Sequence, residues 1–308
     1  MIEIKGITKH YKDLTAVNNL WLDINEGDIF GFIGPNGAGK TTTIKILATL
    51  LKPDAGVAYI CNYNVLTQQD DVKRVLGYMP DFFGVYDDMK VWEYLDFFAA
   101  AYKIDRQRRP QIINDVLELT DLTDKKDAFV EALSRGMKQR LCLAKTLVHD
   151  PKVLLLDEPA SGLDPRARIE FRELLKELRR MGKTILVSSH ILTELSDFCN
   201  KIGIIEKGQL LVAGDVGEII KQIKGARVVA VKIKGDSDRA RDLLMASDNV
   251  LNIAIDGDQL EIEVAADCED TSFINETLIQ NAIKVLSFTE KQMDLEDVFM
   301  QITKGEVQ

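Results

Sequence analysis

The chain has 308 residues, with 49 acidic against 39 basic side chains, a formal net charge of −10, and 46% hydrophobic residues. Such a composition excludes a disordered or fibrous chain and allows one large domain or two smaller ones, each able to bury a core. The acidic balance excludes a broad electrostatic grip on nucleic acid or on an anionic membrane surface as the main activity, but leaves room for a small phosphate site.

In chain order, the first thirteen residues are interrupted by Glu3, Lys5, Lys9, Lys12 and Asp13 and do not read as a signal peptide. Residues 16–25 set Val17, Leu20, Leu22 and Ile24 among polar neighbours, the pattern of a short half-buried strand. Residues 29–33 form an apolar run that stops at Gly34; a glycine-rich loop follows, then a helical pattern over 41–51. Residues 82–147 read as a mostly helical insertion without strand runs. Phe82, Phe83, Tyr86, Trp92, Tyr94, Phe97, Phe98 and Tyr102 crowd its first part. They either fill a small helical core or leave several rings exposed as a docking face.

Residues 153–156 and 184–187 are short apolar runs typical of parallel strands buried on both faces. Between them, residues 166–181 carry Ile169, Leu174, Leu175 and Leu178 at helical spacing and stop at Gly182, a C-terminal cap. Strands alternating with helices predict an α/β core around a parallel sheet. A boundary falls near residues 217–225. Beyond it the expected order is strand 227–233, helix 238–245, a hairpin of 250–255 and 260–264 about Gly257, helix 273–283 and strand 285–288. That is the split βαβ pattern of a small α+β domain. No window reaches the roughly 18 consecutive apolar residues of a membrane helix. Cys61, Cys142, Cys199 and Cys268 lie far apart with no nearby His at ligand spacing, and read as isolated thiols in a reducing compartment.

Three features carry chemistry. Gly34-Pro35-Asn36-Gly37-Ala38-Gly39-Lys40-Thr41 matches G-x-x-x-x-G-K-[ST], set between an expected strand and an expected helix. Such a loop wraps an anion with backbone N–H groups while the helix dipole points at the same spot. Lys40 would reach the β/γ-phosphates and the Thr41 hydroxyl would ligate Mg²⁺. Asp157-Glu158 closes the 153–156 run, at the strand end where open α/β sheets bind ligands. Asp157 suits a Mg²⁺ partner and Glu158 a group that polarises an attacking water. A helix-capping role for the pair is the plain alternative. His190 follows the 184–187 run at another carboxyl end, which could bring an imidazole near the γ-phosphate.

With these pieces placed, residues 1–220 resemble the nucleotide-binding subunit of ABC transporters. The family's LSGGQ segment is represented by Leu133-Ser134-Arg135-Gly136-Met137, followed by Lys138-Gln139-Arg140-Leu141. Ser161-Gly162-Leu163-Asp164 resembles its D-loop, His190 its switch histidine, and Tyr11 the aromatic that stacks on adenine. The resemblance implies a RecA-like P-loop NTPase core with an antiparallel β subdomain, a helical subdomain at about 82–150, and a separate ferredoxin-like α+β domain at 221–308. It implies ATP held by Tyr11, Val17 and residues Gly34 to Thr42, with Thr42 beside Thr41. Mg²⁺ would be held by Thr41, Asp157 and Asp81, and Glu158 and His190 would be catalytic. Two such domains would sandwich two ATP molecules head to tail, each ATP also meeting Ser134, Arg135, Gly136 and Met137 of the other subunit, with the Ser161 and Asp164 loop beside it. The second subunit is expected to be another copy of this chain in preference to a paralogue.

The chain departs from the family in two places. Asp81 stands where a Gln is usual, and Arg135 and Met137 replace a Gly and the terminal Gln of the signature. Arg135 is expected to add positive charge near the other subunit's phosphate. These departures, with the tail Met293-Asp294-Leu295-Glu296-Asp297-Val298-Phe299, resemble the branch that pairs with ABC-2-type permeases, mostly exporters of drugs, peptides, lipids or polysaccharides. The expected place is the cytoplasm, at the inner face of the cell membrane through the permease, with no nucleic-acid partner. An ATPase of this family acting on DNA or ribosomes would carry a coiled-coil insertion or tandem cassettes, and a non-hydrolysing module would lack one of Lys40, Asp157, Glu158 and His190.

Overall fold

A computed structural model describes the chain except at residues 83, 85, 192–194, 196–197, 224–225, 266–267, 269 and 292–308. The described residues fall into two compact units, one running from Met1 to Val216 and the other beginning at Gly217. The 293–299 tail and Phe83 lie outside the described residues.

In the first unit, β1 (Ile2–Tyr11), β2 (Leu14–Ile24), β4 (Ala55–Ile60) and β5 (Tyr63–Asn64) form an antiparallel sheet in the order β2-β1-β4-β5. Val17, Leu20, Leu22 and Ile24 of β2 are buried as the pattern requires. A second sheet runs β10-β9-β3-β8-β7-β6, from β3 (Ile29–Ile33), β6 (Leu76–Met79), β7 (Val153–Leu156), β8 (Thr184–Ser189), β9 (Lys201–Glu206) and β10 (Gln209–Asp215). All its pairings are parallel except that of β10 with β9. Every residue of β3, β7 and β8 is buried, so their largely apolar runs are the mark of central strands covered on both faces. One core joins the two sheets, linking Ile2 and Leu20 through Phe30 and Phe32 to Ile44, Leu155 and Leu186.

Helices α1 (Lys40–Leu47) and α2 (Gln69–Val75) follow β3 and β5. The helical insertion comprises α3 (Val91–Ala101), α4 (Arg109–Leu119) and α5 (Arg135–Leu147), and α6 (Pro165–Arg180) connects β7 to β8. Two expectations are corrected here. The helix after the glycine-rich loop ends at Leu47 and not at residue 51, because Thr49 takes a left-handed φ of 61°. On α6 the buried stripe is Phe171, Leu175 and Leu178, whereas Ile169 is 52% exposed, one position off that face. The aromatic stretch divides between both readings: Tyr94 is buried, while Phe82, Tyr86, Phe97 and Tyr102 are exposed.

Helix α7 (Val216–Ile223) starts at the last residue of the first unit. The second unit contains β11 (Ala226–Lys234), α8 (Ser237–Leu244), β12 (Val250–Asp256), β13 (Gln259–Ala265), α9 (Ser272–Gln280) and β14 (Lys284–Lys291). Its antiparallel sheet runs β12-β13-β11-β14, the strand order of the split βαβ arrangement. It has its own core, in which Val229, Val231 and Ile262 pack with Leu244 and Leu278.

Candidate functional site

The loop between β3 and α1 is held tightly by its surroundings. Gly39 sits at φ 104°, and a side-chain carbon there would run into the Ala16 carbonyl oxygen of β2. Only glycine satisfies both constraints. From the other side, the Gly208 N–H donates to the Ala38 carbonyl at 3.0 Å. Asn36 and Gly37 are exposed at the tip, Pro35 is half-buried, and Gly34 and Ala38 are buried. Thr43 is the first residue of α1 whose N–H bonds back along the helix, to the Gly39 carbonyl at 2.9 Å, so the N–H groups before it lack an intrahelical partner. Thr41 and Thr42 stand half-buried in this first turn.

Lys40 is folded beneath the loop. Its Nζ donates to the carbonyls of Gly34 at 2.5 Å and Pro35 at 3.2 Å, and lies 3.5 Å from Glu158 Oε1. Burial pushes its pKa down, against the opposing pull of the Glu158 and Asp157 charges. The two carbonyls hold the ammonium at the base of the loop, with Glu158 as its carboxylate partner.

The acidic pair lies where β7 ends. Asp157 is 1% exposed, and its Oδ1 accepts from Ser188 Oγ at 2.7 Å and Thr41 Oγ1 at 3.2 Å. Burial raises its pKa, and the charges of Glu158 and Asp81 push the same way. Glu158 takes φ 48°, its N–H donates to Ser188 Oγ at 3.0 Å, and its Oε2 lies 2.8 Å from His190 Nδ1. A left-handed glutamate is uncommon and is held by bonds on every side. The carboxyl ends of β3, β7 and β8 thus bring together Lys40, Thr41, Asp157, Glu158 and His190. Asp81 follows β6 in the same sheet and is exposed.

A buried carboxylate whose partners are two neutral hydroxyls suits a hard divalent cation. Among the described residues no group of three His, Cys, Asp or Glu side chains could encage a metal by itself. The oxygen donors Thr41 and Asp157 therefore fit Mg²⁺, which keeps waters and substrate phosphates among its ligands.

Ser134, Gly136 and Met137 stand apart from this cluster: among the described residues, no hydrogen bond or ion pair joins them to it. Ser134 caps α5, its Oγ accepting from the Met137 N–H at 3.3 Å. A side-chain carbon at Gly136 would meet nothing closer than 3.4 Å, so the chain's own packing does not demand glycine there. The Arg135 guanidinium donates to the Ser161 carbonyl of its own chain at 3.1 Å. Asp164 caps α6, accepting from the Ala167 N–H at 2.9 Å. The capping considered for Asp157-Glu158 therefore falls to Asp164.

Tyr11, at the end of β1, is exposed, with Lys9 Nζ 5.9 Å from its ring centre. Val17 is a correction. It is 0% exposed and packs under the loop at Gly39, so it supports the loop instead of facing a nucleotide. Sequence reasoning missed Ser188, which touches both members of the acidic pair. Its one signal is a polar residue directly after the apolar 184–187 run, at the carboxyl end of the strand.

A family model described as ABC transporter matches residues 17–161. The chain is 34% identical over 319 residues to the Nod factor export ATP-binding protein I of Burkholderia orbicola (strain AU 1054), covering 100% of this chain and 98% of that protein. It is 34% identical over 312 residues to the uncharacterized ABC transporter ATP-binding protein YhcH of Bacillus subtilis (strain 168), with the same coverage. Of solved structures, an ATP-binding subunit of an ABC transporter superposes with a TM-score of 0.65 at 27% identity, over 72% of this chain and 92% of its own. The dimeric post-hydrolysis state of the ATP-binding cassette MJ0796, bound to ADP and Pi, superposes with a TM-score of 0.63 at 26% identity, over 70% and 98%.

Proposed function

The chain belongs to the ABC transporter ATP-binding family, and from that premise we propose that it is the ATP-hydrolysing subunit of an exporter working through a separate membrane permease. Glu158 carries the proposal: a carboxylate set between the Lys40 ammonium and the His190 imidazole at the end of a buried strand. Residues 34–42 hold the phosphates through backbone N–H groups, and Lys40 exchanges the Gly34 and Pro35 carbonyls for phosphate oxygens. Tyr11 stacks on the adenine. Thr41 and Asp157 would hold Mg²⁺, with Asp81 a further oxygen donor for the ion or its water. When bound, Mg²⁺ supplies charge neutralisation on the β- and γ-phosphate oxygens.

Glu158 orients a water and takes its proton as the water oxygen bonds to the γ-phosphorus; the bond to the β–γ bridging oxygen breaks, leaving ADP and phosphate. His190 steadies Glu158 Oε2. Ser134, Gly136 and Met137, opening α5, face the γ-phosphate held by a second copy, with Ser161 and Asp164 beside it. The dimeric cassette bound to ADP and Pi among the solved relatives supports this arrangement.

Closing and opening of that dimer drives the permease. The exposed rings of Phe82 and Tyr86, the latter 6.2 Å from buried Tyr94, form the surface for a permease helix at the cytoplasmic face of the membrane. Asp81, Arg135 and Met137, with the second unit, support an ABC-2-type permease. Relatives named for Nod factor export support the outward direction. The test is Glu158→Gln. ATP binding is expected to persist while steady-state phosphate release disappears, and normal turnover would remove Glu158 from the catalytic role.

A further inference from the structure

Helix α5 carries three long cations near its start. Lys138 pairs with Asp87 at 2.9 Å, and Arg140 with Asp121 and Glu170. Arg135 is different. Among the described residues it has no carboxylate partner, and its guanidinium binds the neutral carbonyl of Ser161. One turn further along the same face, the buried Gln139 donates from Nε2 to the Pro159 carbonyl. Two rungs of one helix therefore hold the main chain at residues 159 and 161, directly after Glu158.

The turn between them is shaped to fit. Ser161 N–H returns to the Glu158 carbonyl at 3.1 Å, and Leu163 N–H to the Ala160 carbonyl at 3.2 Å. Gly162 stands at φ 69°, and a side-chain carbon there would collide with the Arg135 guanidinium. A planar fork can both donate to the Ser161 carbonyl and lie flat against a glycine; a lysine ammonium reaches the carbonyl but leaves the flat contact empty.

We propose that Arg135 is a positioning residue that clasps the turn after Glu158 to the first turn of α5, so that the signature segment and the hydrolytic carboxylate are set as one piece. This rests on Glu158 as the group that activates water. On this account Arg135 acts within its own chain and not as a phosphate ligand of the second copy.

The test compares the full chain with Arg135→Gln and Arg135→Lys, measuring phosphate release against ATP concentration and hydrogen exchange over residues 158–163 without nucleotide. Arg135→Gln is expected to lower kcat about tenfold with KM within about twofold, the signature of lost positioning. Its unfolding midpoint stays unchanged, because the side chain is exposed. Amide exchange over 158–163 is expected to quicken about tenfold. Arg135→Lys recovers part of kcat. The damage done by Gly162→Ala shrinks in the Arg135→Gln background, since the collision is gone. Unchanged exchange over 158–163 overturns the clasp even if the wild-type chain does not turn over. A raised KM at unchanged kcat also overturns it, by showing Arg135 at the bound phosphate. Loss of wild-type hydrolysis with the exchange difference intact would instead sink only the role of Glu158.

Discussion

Lys40 is a cation kept in place by carbonyls, at a burial that works against its charge. A nucleotide phosphate adds a second anionic partner to Glu158 for that charge, so Lys40→Ala is expected to weaken ATP binding by about 2 kcal/mol, roughly thirtyfold. Titration with a fluorescent ATP analogue measures it, and unchanged affinity would place the phosphates elsewhere. Gly39 is constrained by the chain itself. Gly39→Ala must carry a methyl group at φ 104° into the Ala16 carbonyl, which is expected to cost about 1–3 kcal/mol in denaturant unfolding and to displace the loop. The chemical residues at this scale were legible because each stands in a fixed motif. Ser188 was not, because a serine inside a buried strand reads as an ordinary polar interruption until its two acidic neighbours are seen.

Among the elements, α5 offers the most exposed test of local physics. Ser134 accepts the Met137 N–H and begins the helix, so Ser134→Ala is expected to destabilise the first unit by about 1 kcal/mol and to weaken nucleotide-driven association beyond that. A stability loss without any effect on association would confine Ser134 to capping. The central strands β3, β7 and β8 were legible because burial on both faces gives each a largely apolar run. β1 was not. Its alternation Ile2, Ile4 breaks at Gly6, where φ 65° shifts the register so that Ile7 is the next buried residue. The apolar spacing of residues 50 and 51 carries the expected helix past the left-handed turn at Thr49 that ends α1. On α6, Ile169 lies beside the stripe that Phe171, Leu175 and Leu178 bury, a distinction that hydrophobicity alone does not make.

For the whole molecule, the net charge of −10 is unevenly shared. Residues 221–308 hold 17 acidic and 10 basic side chains, leaving the first 220 with a net of only −3. Global charge therefore says little about the anion site, which is built from backbone N–H groups and one buried lysine. Each unit has its own core, so a chain ending at Val216 is expected to fold and bind ATP while associating less readily on nucleotide. Association equal to that of the full chain would deny the second unit a part in it. The most direct measurement is light scattering on Glu158→Gln with Mg²⁺, with and without ATP. The mass is expected to rise from one chain's 34.6 kDa to twice that on adding ATP, and to stay there because the nucleotide is not cleaved. A single-chain mass at saturating ATP would contradict nucleotide held between two copies and cleaved at Glu158.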